Sequence, residues 1–467
     1  MTVPASIQRL LDNHNVSYTL ADMPHTMPLA PINHITNLRE AGAARSVVLE
    51  NDSGSQLLAI TPSDALLDLN RVEQVMSSSY NAVTGEKLQA LFDKHGVQAL
   101  PALPQLDNLP TLVDKRLLEN DVVYLDAGID EQYLQLSQAD FQQLVGNTVV
   151  SDISTPLAAL EAPVEPECDE TQILASVSQF TELRVKQRLE ETLEMPPLPS
   201  TAQRIIQLRV DPNADIGDLA TIVEVDPSLA AQVVSWAASP YYSAPGTIKS
   251  IHDAIVRVLG FDMVLNLALG LALGKTLEMP KKGPYGVIPY WQQSVYVAAT
   301  VEALVTIMPR DSRPSFGTAY LAGLLNNFGY LILAEVFPPH FEKINRHIEA
   351  NPHVSPHGID RHLVGINRDQ LSGWLMEFWN MPESICNALR HQNDPTYDGE
   401  DSEYSLLIYL ANNLLRQHDV ITGASLQPIP DTVYKQLNID PEQAKEVVAN
   451  ILESNEELKA IAQELEG

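Results

Sequence analysis

The hydrophobic period of this chain changes near residue 150, and that change restricts it to two differently built parts. Before it, short apolar runs alternate with helical stripes. Ile7, Leu10 and Leu11 form a helical stripe, and residues 16–18 read as the strand after it. Residues 46–49 and 57–60 are apolar runs separated by Asn51-Asp52-Ser53-Gly54, a turn sequence that predicts a β-hairpin. Residues 66–76, 85–95 and 139–145 carry helical spacing; residues 122–125 and 134–136 carry strand spacing. The first part is therefore expected to be α+β, over residues 1–150. Residues 151–168 are Pro-rich and acidic without apolar periodicity, which predicts a linker over about 151–180. From residue 173 to 415 the pattern is helical almost throughout, with one helix expected over residues 320–337. Asp226-Pro227 combines a capping side chain with a proline at the first helical position. An all-α domain is expected over 181–420, then a tail over 421–467. In that tail Val447, Val448, Ile451, Leu452, Leu458, Ile461 and Leu465 line one helical face. Packing of that face on its own chain is the default, and a homodimer through it is the alternative.

Composition narrows the function classes. The chain has 467 residues, 45% of them hydrophobic, which is enough for sizeable cores. Its 29 Lys and Arg against 60 Asp and Glu give a net charge of −31. Phosphate contacts need clustered cations, so non-specific binding to nucleic acid or an anionic membrane is disfavoured. Lys281-Lys282-Gly283, near Tyr285, is the one basic cluster with an aromatic beside it, and it reads as a solvated loop. Cys168 and Cys386 are too few for a disulfide framework or a cysteine zinc site, which fits a reducing cytoplasm. The start lacks a basic stretch followed by an apolar one, so no secretory leader is expected. The most apolar stretch, residues 264–273, is about half the ~18 residues a membrane span needs. No P-loop, Gly-x-Gly-x-x-Gly, nucleophile elbow or Cys/His pair occurs in a suitable context.

The order "VSYTL", "AARSVVLENDSGSQLLAITPSDALLDLNRV" and "GVQALPALPQLDNLPTLVDKRLLENDVVYLDAG" makes residues 1–148 resemble the YbaK/prolyl-tRNA deacylase-like fold. Members of that kind hydrolyse or bind mischarged aminoacyl-tRNA. The resemblance places the family's functional lysine at Arg45. A guanidinium keeps the charge but neither gives nor takes a proton near neutral pH, which weighs against hydrolysis. Arg45 is expected to be a surface or cleft arginine paired to a carboxylate. The family's Gly-x-x-x-Pro loop is echoed, with imperfect spacing, from Gly96 to Pro101.

The second part carries "MPPLPSTAQRIIQLRVDP", "LATIVEVDPSLAAQVVSWAASPYY", "IKSIHDAIVRVLGFDMVLNLAL" and "GIDRHLVGINRDQLSGWLMEFWNMPESICNALRHQ", in that order. These phrases resemble the HDOD domain, a helical relative of the HD phosphohydrolases. An HD hydrolase holds divalent metal with an early His, a His-Asp pair and a late Asp, and the metal activates water. The resemblance puts those positions at Gln293, at Asn326-Asn327 and at Asn412. All are neutral amides, so no anionic site is expected to offset the lost hydration of a dication. His391 is the leftover ligand-like residue and reads as a capping or partly buried histidine. His353, His357 and His362 lie in Pro- and Gly-broken sequence and read as loop histidines. Asn326 and Asn327 are expected on a helix, with Gly323 and Gly329 allowing close helix approach. Trp236, Trp291, Trp374 and Trp379 are expected to supply core or groove surface.

Three readings follow. The first is a non-catalytic signalling protein with a metal-free HDOD domain, no cofactor and unidentified signalling partners. The second is an aminoacyl-tRNA deacylase regulated by the HDOD domain. The third is a metal phosphohydrolase of cyclic dinucleotides, which the amides argue against.

Overall fold

A computed structural model of the chain describes residues 3–22, 42–97, 99–104, 106–128, 132–160, 168–185, 198–243, 246–277, 289–423 and 428–466. The Lys281-Lys282-Gly283 cluster and Tyr285 lie outside them. The strands are β1 (Thr19–Asp22), β2 (Ala43–Asn51), β3 (Gln56–Pro62), β4 (Ala65–Leu67), β5 (Tyr80–Ala82), β6 (Thr111–Asp114), β7 (Val122–Asp126), β8 (Gln132–Ser137), β9 (Val149–Ser151) and β10 (Ser154–Pro156). Among them run α1 (Ala5–Asn13), α2 (Leu69–Met76), α3 (Gly85–His95) and α4 (Gln138–Val145). Then come α5 (Asp169–Val185), α6 (Ser200–Arg209), α7 (Ile216–Glu224), α8 (Pro227–Ala238), α9 (Ile251–Ala254), α10 (Phe261–Gly274) and α11 (Tyr290–Ile307). They are followed by α12 (Phe316–Leu324), α13 (Phe328–Val336), α14 (Pro338–Ala350), α15 (Pro356–Val364), α16 (Arg368–Phe378), α17 (Glu383–His391) and α18 (Ser402–Arg416). The tail holds α19 (Asp431–Leu437), α20 (Pro441–Glu453) and α21 (Asn455–Glu466).

The chain divides into two compact units. The first, a sheet unit, comprises residues 1–163, 342–363 and 423–428; the second, a helical unit, comprises the rest. Most of α14 and α15, which sit inside the helical stretch in sequence, thus belong to the sheet unit. So do residues 151–160, which sequence reasoning assigned to a linker: β10 pairs with β4, and Ile153 is fully buried.

In the sheet unit the strand order is β1-β8-β7-β2-β3-β6-β9, with β5 on β2. The β2–β3 hairpin is antiparallel, Arg45 lying opposite Thr61, while β7 runs parallel to β2 and β6 parallel to β3. Strand side chains alternate between faces. Ala44 and Val48 of β2 join one core with Leu58, Ile60, Phe92 and Leu103. Leu49, on the other face, joins a second core with Leu57, Ala59, Leu112 and Ala350. Helix spacing over residues 66–76 proves to be β4 followed by α2. Asp68 makes the switch: its carboxylate accepts the free N–H groups of Asn70 and Arg71, a cap worth about 1 kcal/mol.

In the helical unit, Asp226 caps α8 through the N–H groups of Ser228 and Leu229. Trp236, Trp291 and Trp379 are buried in the core, and Trp374 stacks on Phe378. A Cβ at Gly323 would lie 2.8 Å from the Ala298 Cα, so this glycine lets α12 press against α11. One at Gly329 would meet the Arg368 carbonyl, setting α13 against α16. The helix expected over 320–337 is two helices, broken at Asn326-Asn327. α20 and α21 lay Val448, Ile451, Leu458 and Ile461 into this unit's own core, and the Tyr296 hydroxyl donates to Asn455. Among the described residues no single helix is long and apolar enough to cross a membrane.

Candidate functional site

Arg45 points from β2 toward the face that carries Ala350, and it is almost fully buried. Its Nη2 donates to the Ala350 carbonyl at 2.9 Å and to Asn351 Oδ1 at 2.7 Å. The carboxylate expected for it is replaced by these two carbonyl oxygens. Ala350 is the last residue of α14, where helix carbonyls lack partners and the dipole is negative. The guanidinium therefore caps α14. Burial pushes its pKa down to about 9, so it stays a cation at neutral pH. Its Nε and the hydroxyl of Thr61, its neighbour across the hairpin, make no hydrogen bond among the described residues.

Asn351 organises the hydrogen bonds around Arg45. Its Oδ1 also accepts the Leu67 N–H at 2.7 Å, and its Nδ2 donates to the Leu67 and His347 carbonyls at 2.9 Å each. All four hydrogen bonds a carboxamide can form are made. His353 Nε2 donates to the Ala65 carbonyl at 3.0 Å, so residues 351–353 cover the free edge of β4. His347 accepts the Leu69 N–H at Nε2 and donates from Nδ1 to the Lys343 carbonyl. His362 Nε2 lies 3.0 Å from the Asp68 carboxylate. Burial works to raise the Asp68 pKa, but His347 and His362 outweigh it and hold the carboxyl well below the usual range. The loop assignment holds for His353 but needs correcting for His357 and His362. His353 is buried in a turn, while His357 and His362 lie on α15. Helical spacing around Pro356 was broken in sequence because proline is tolerated at a helix start.

Gly96 and Pro101 do not share this site. Gly96 ends α3 in the left-handed conformation, with φ of 64°. Pro101 follows Leu100, whose carbonyl accepts from Ser46, and Ser46 alternates to the face opposite Arg45. The sheet lies between them.

In the helical unit, Asn326 occupies the turn between α12 and α13 rather than a helix. Its Nδ2 donates to Asn412 Oδ1 of α18 at 3.2 Å. Its backbone carbonyl accepts from Gln392 Nε2 at 2.7 Å, and the same Nε2 reaches Asp369 Oδ1 at 2.8 Å. Asn393 donates to the other Asp369 oxygen at 2.8 Å. Gln293 is engaged elsewhere: its Oε1 accepts the N–H and hydroxyl of Thr422, at 2.9 and 2.8 Å. Asn327 takes the N-cap position of α13 without a side-chain cap. His391 stacks flat on Tyr397, with ring centroids 3.9 Å apart. Burial, then the neighbouring Arg390 cation, push its pKa below the usual histidine value.

The structure thus joins Asn326 to Asn412 and gives Gln293 and His391 partners of their own. Among the described residues no three His, Cys, Asp or Glu side chains converge on a point that could hold a metal ion. The donor set of an HD-type metal does not fit here: the positions are neutral amides, and Asp369 is already met by amide donors. Sequence reasoning missed Asn351, His347, Asp68, Asp369, Gln392 and Thr422. Their partners lie tens to hundreds of residues away, and local pattern carries no signal of them.

Residues 29–144 match the aminoacyl-tRNA editing domain, and residues 195–395 match the HDOD domain. Over its full length the chain is 39% identical to a protein of Marinobacter aquaeolei VT8 provisionally named a signal transduction protein. The whole of that chain is covered too, and its crystal structure gives a TM-score of 0.87. An HDOD domain protein of unknown function from Geobacter sulfurreducens shares the fold over 63% of this chain and 98% of its own, at 23% identity and a TM-score of 0.51. An uncharacterised protein of Treponema pallidum (strain Nichols) is 22% identical over 338 residues, 72% of this chain. The match spans 62% of that relative, less than two thirds of its length.

Proposed function

We propose a non-catalytic regulatory function for this chain, which belongs to the family of two-domain proteins joining an aminoacyl-tRNA editing domain to an HDOD domain. The helical unit receives a signalling partner or small ligand, and neither unit turns over substrate. The observation that carries this reading is the hydrogen bond from Asn326 to Asn412. One amide donates to the other where, on the HDOD resemblance, anionic and imidazole ligands would be needed, and neutral amides compensate poorly for a dication's lost water.

The test uses purified full-length protein. Metal content after incubation with Mn²⁺, Fe²⁺ or Mg²⁺ is expected to stay far below one ion per chain, with no turnover of generic phosphodiesters. Stoichiometric metal with turnover sinks the reading.

The editing-domain match favours one second reading, an aminoacyl-tRNA deacylase. Against it stand the burial of Arg45 under Ala350 and Asn351 and the acidity of the chain. Deacylation of mischarged tRNA by full-length protein above the uncatalysed rate, lost on Arg45→Ala, would establish it.

A further inference from the structure

We propose that residues 342–363 are a detachable latch, which closes a groove of the sheet unit around Arg45 and the β4 edge and uncovers both when it lifts. The inference is independent of whether either unit is catalytic.

The first support is the chain path. Residues up to Phe341 belong to the helical unit, residues 342–363 to the sheet unit, and residues from Val364 to the helical unit again. The segment is therefore tied at both ends to chain that belongs elsewhere. Strain arising in the helical unit has a covalent handle on it.

The second support is the chemistry of the closure. Its anchors are polar and hydrogen-bonded: Arg45 to Ala350 and Asn351, Asn351 to Leu67, His353 to Ala65, His362 to Asp68, and Arg346 to Glu73 and Tyr80. The apolar part is the satellite cluster of Leu66, Leu157, Leu160, Val354 and Ile359, against which Ile348 and Leu363 pack, together with Ala350 in the second core of the sheet. Polar contacts with modest apolar area mark surfaces that separate, whereas a permanent core is mostly apolar. Water can take over each of these hydrogen bonds once the segment lifts.

The third support is incomplete satisfaction in the closed state. Arg45 Nε, Thr61 Oγ1 and Arg346 Nε are buried and make no hydrogen bond among the described residues. Buried polar groups are usually paired, so these atoms gain partners on opening that they lack when closed. A cation of lowered pKa facing only neutral carbonyls adds to that bias.

Native-state hydrogen exchange on the full chain tests the proposal. The amides of Leu67 and Leu69 point at Asn351 and His347, so they report the closure directly. In the wild type they are expected to exchange together with residues 343–363, at least tenfold faster than the β2–β3 ladder. Exchange of Leu67 and Leu69 at the rate of that ladder overturns the latch, because the segment would then leave only on global unfolding. This measurement needs no variant. In Asn351→Ala, phenylglyoxal labelling of Arg45 is expected to rise at least tenfold, and exchange at Leu67 and Leu69 to accelerate at least tenfold more than exchange of the β2–β3 ladder. A uniform acceleration across the sheet unit would show a static structural insert and overturn the proposal.

Discussion

The site around Arg45 and the cluster around Asn326 handle buried polar groups in opposite ways. At Arg45 the sheet unit buries a cation, and Ala350 and Asn351 supply carbonyls to it. At Asn326 there is no charge to cover: its amide donates one hydrogen bond to Asn412 of α18, and its own Oδ1 makes none among the described residues. Keeping a charge in a closed site demands a cover; neutralising it lets neighbouring helices settle the polar groups among themselves. The first solution depends on one residue, Asn351. The second is spread over Asn326, Asn412, Gln392, Asn393 and Asp369.

That contrast can be broken at its concentrated end first. Asn351→Ala leaves a buried guanidinium and both polar groups of Leu67 short of partners, and is expected to cost about 4 kcal/mol. Urea unfolding followed by fluorescence and circular dichroism would read this; a loss under about 1 kcal/mol would remove Asn351 as the organiser.

A buried charge in the helical unit offers the next test. Burial lifts the Glu302 carboxyl from 4.5 to about 7, against a single hydrogen bond from the Tyr242 hydroxyl at 3.3 Å. Tyr241 and Tyr320 stand close by. Between those values the folded chain holds a proton that the unfolded chain has released. Stability contributed by this group is full below about 4.5, falls as pH rises to 7, and is flat above, a change of about 3 kcal/mol. Glu302→Gln should flatten the slope of stability against pH in that window. An unchanged slope would place the titration on another group.

Arg45→Lys keeps the charge but loses the planar Nη2 that donates to both carbonyls, and should cost about 2 kcal/mol. Deacylase activity gained in this variant would count against the non-catalytic reading of the sheet unit. The distributed cluster should be the most forgiving. Asn326→Ala is expected to cost about 1 kcal/mol, because its partner Asn412 loses one neutral bond. A cost equal to that of Asn351→Ala would erase the distinction between the two sites.

What the sequence revealed follows the range of the interactions involved. The β2–β3 hairpin, α3 and the start of α8 were legible, since each is set by residues a few positions apart: Asn51 to Gly54, Gly96, and Asp226-Pro227. The break at Asn326 was not, because the leucines on both sides keep helical spacing while the asparagines turn the chain. The membership of residues 342–363 in the sheet unit was invisible for a deeper reason. Their amphipathic helices look like their neighbours, and only partners near residues 45, 67 and 68 assign them. The amides at Gln293, Asn326, Asn327 and Asn412 can be read off the sequence, yet their bonding cannot: Gln293 turns to Thr422, which no local pattern indicates.

The 306 residues between Arg45 and Asn351 also set a timetable. Ribosomes add about 5–20 residues each second, so Asn351 is made on the order of 15–60 s after Arg45. Through that interval the nascent N-terminal strands carry an uncovered cation and an unpaired β4 edge, with the acidic bulk of the chain still to come. The sheet unit can be finished only after most of the helical sequence has been made.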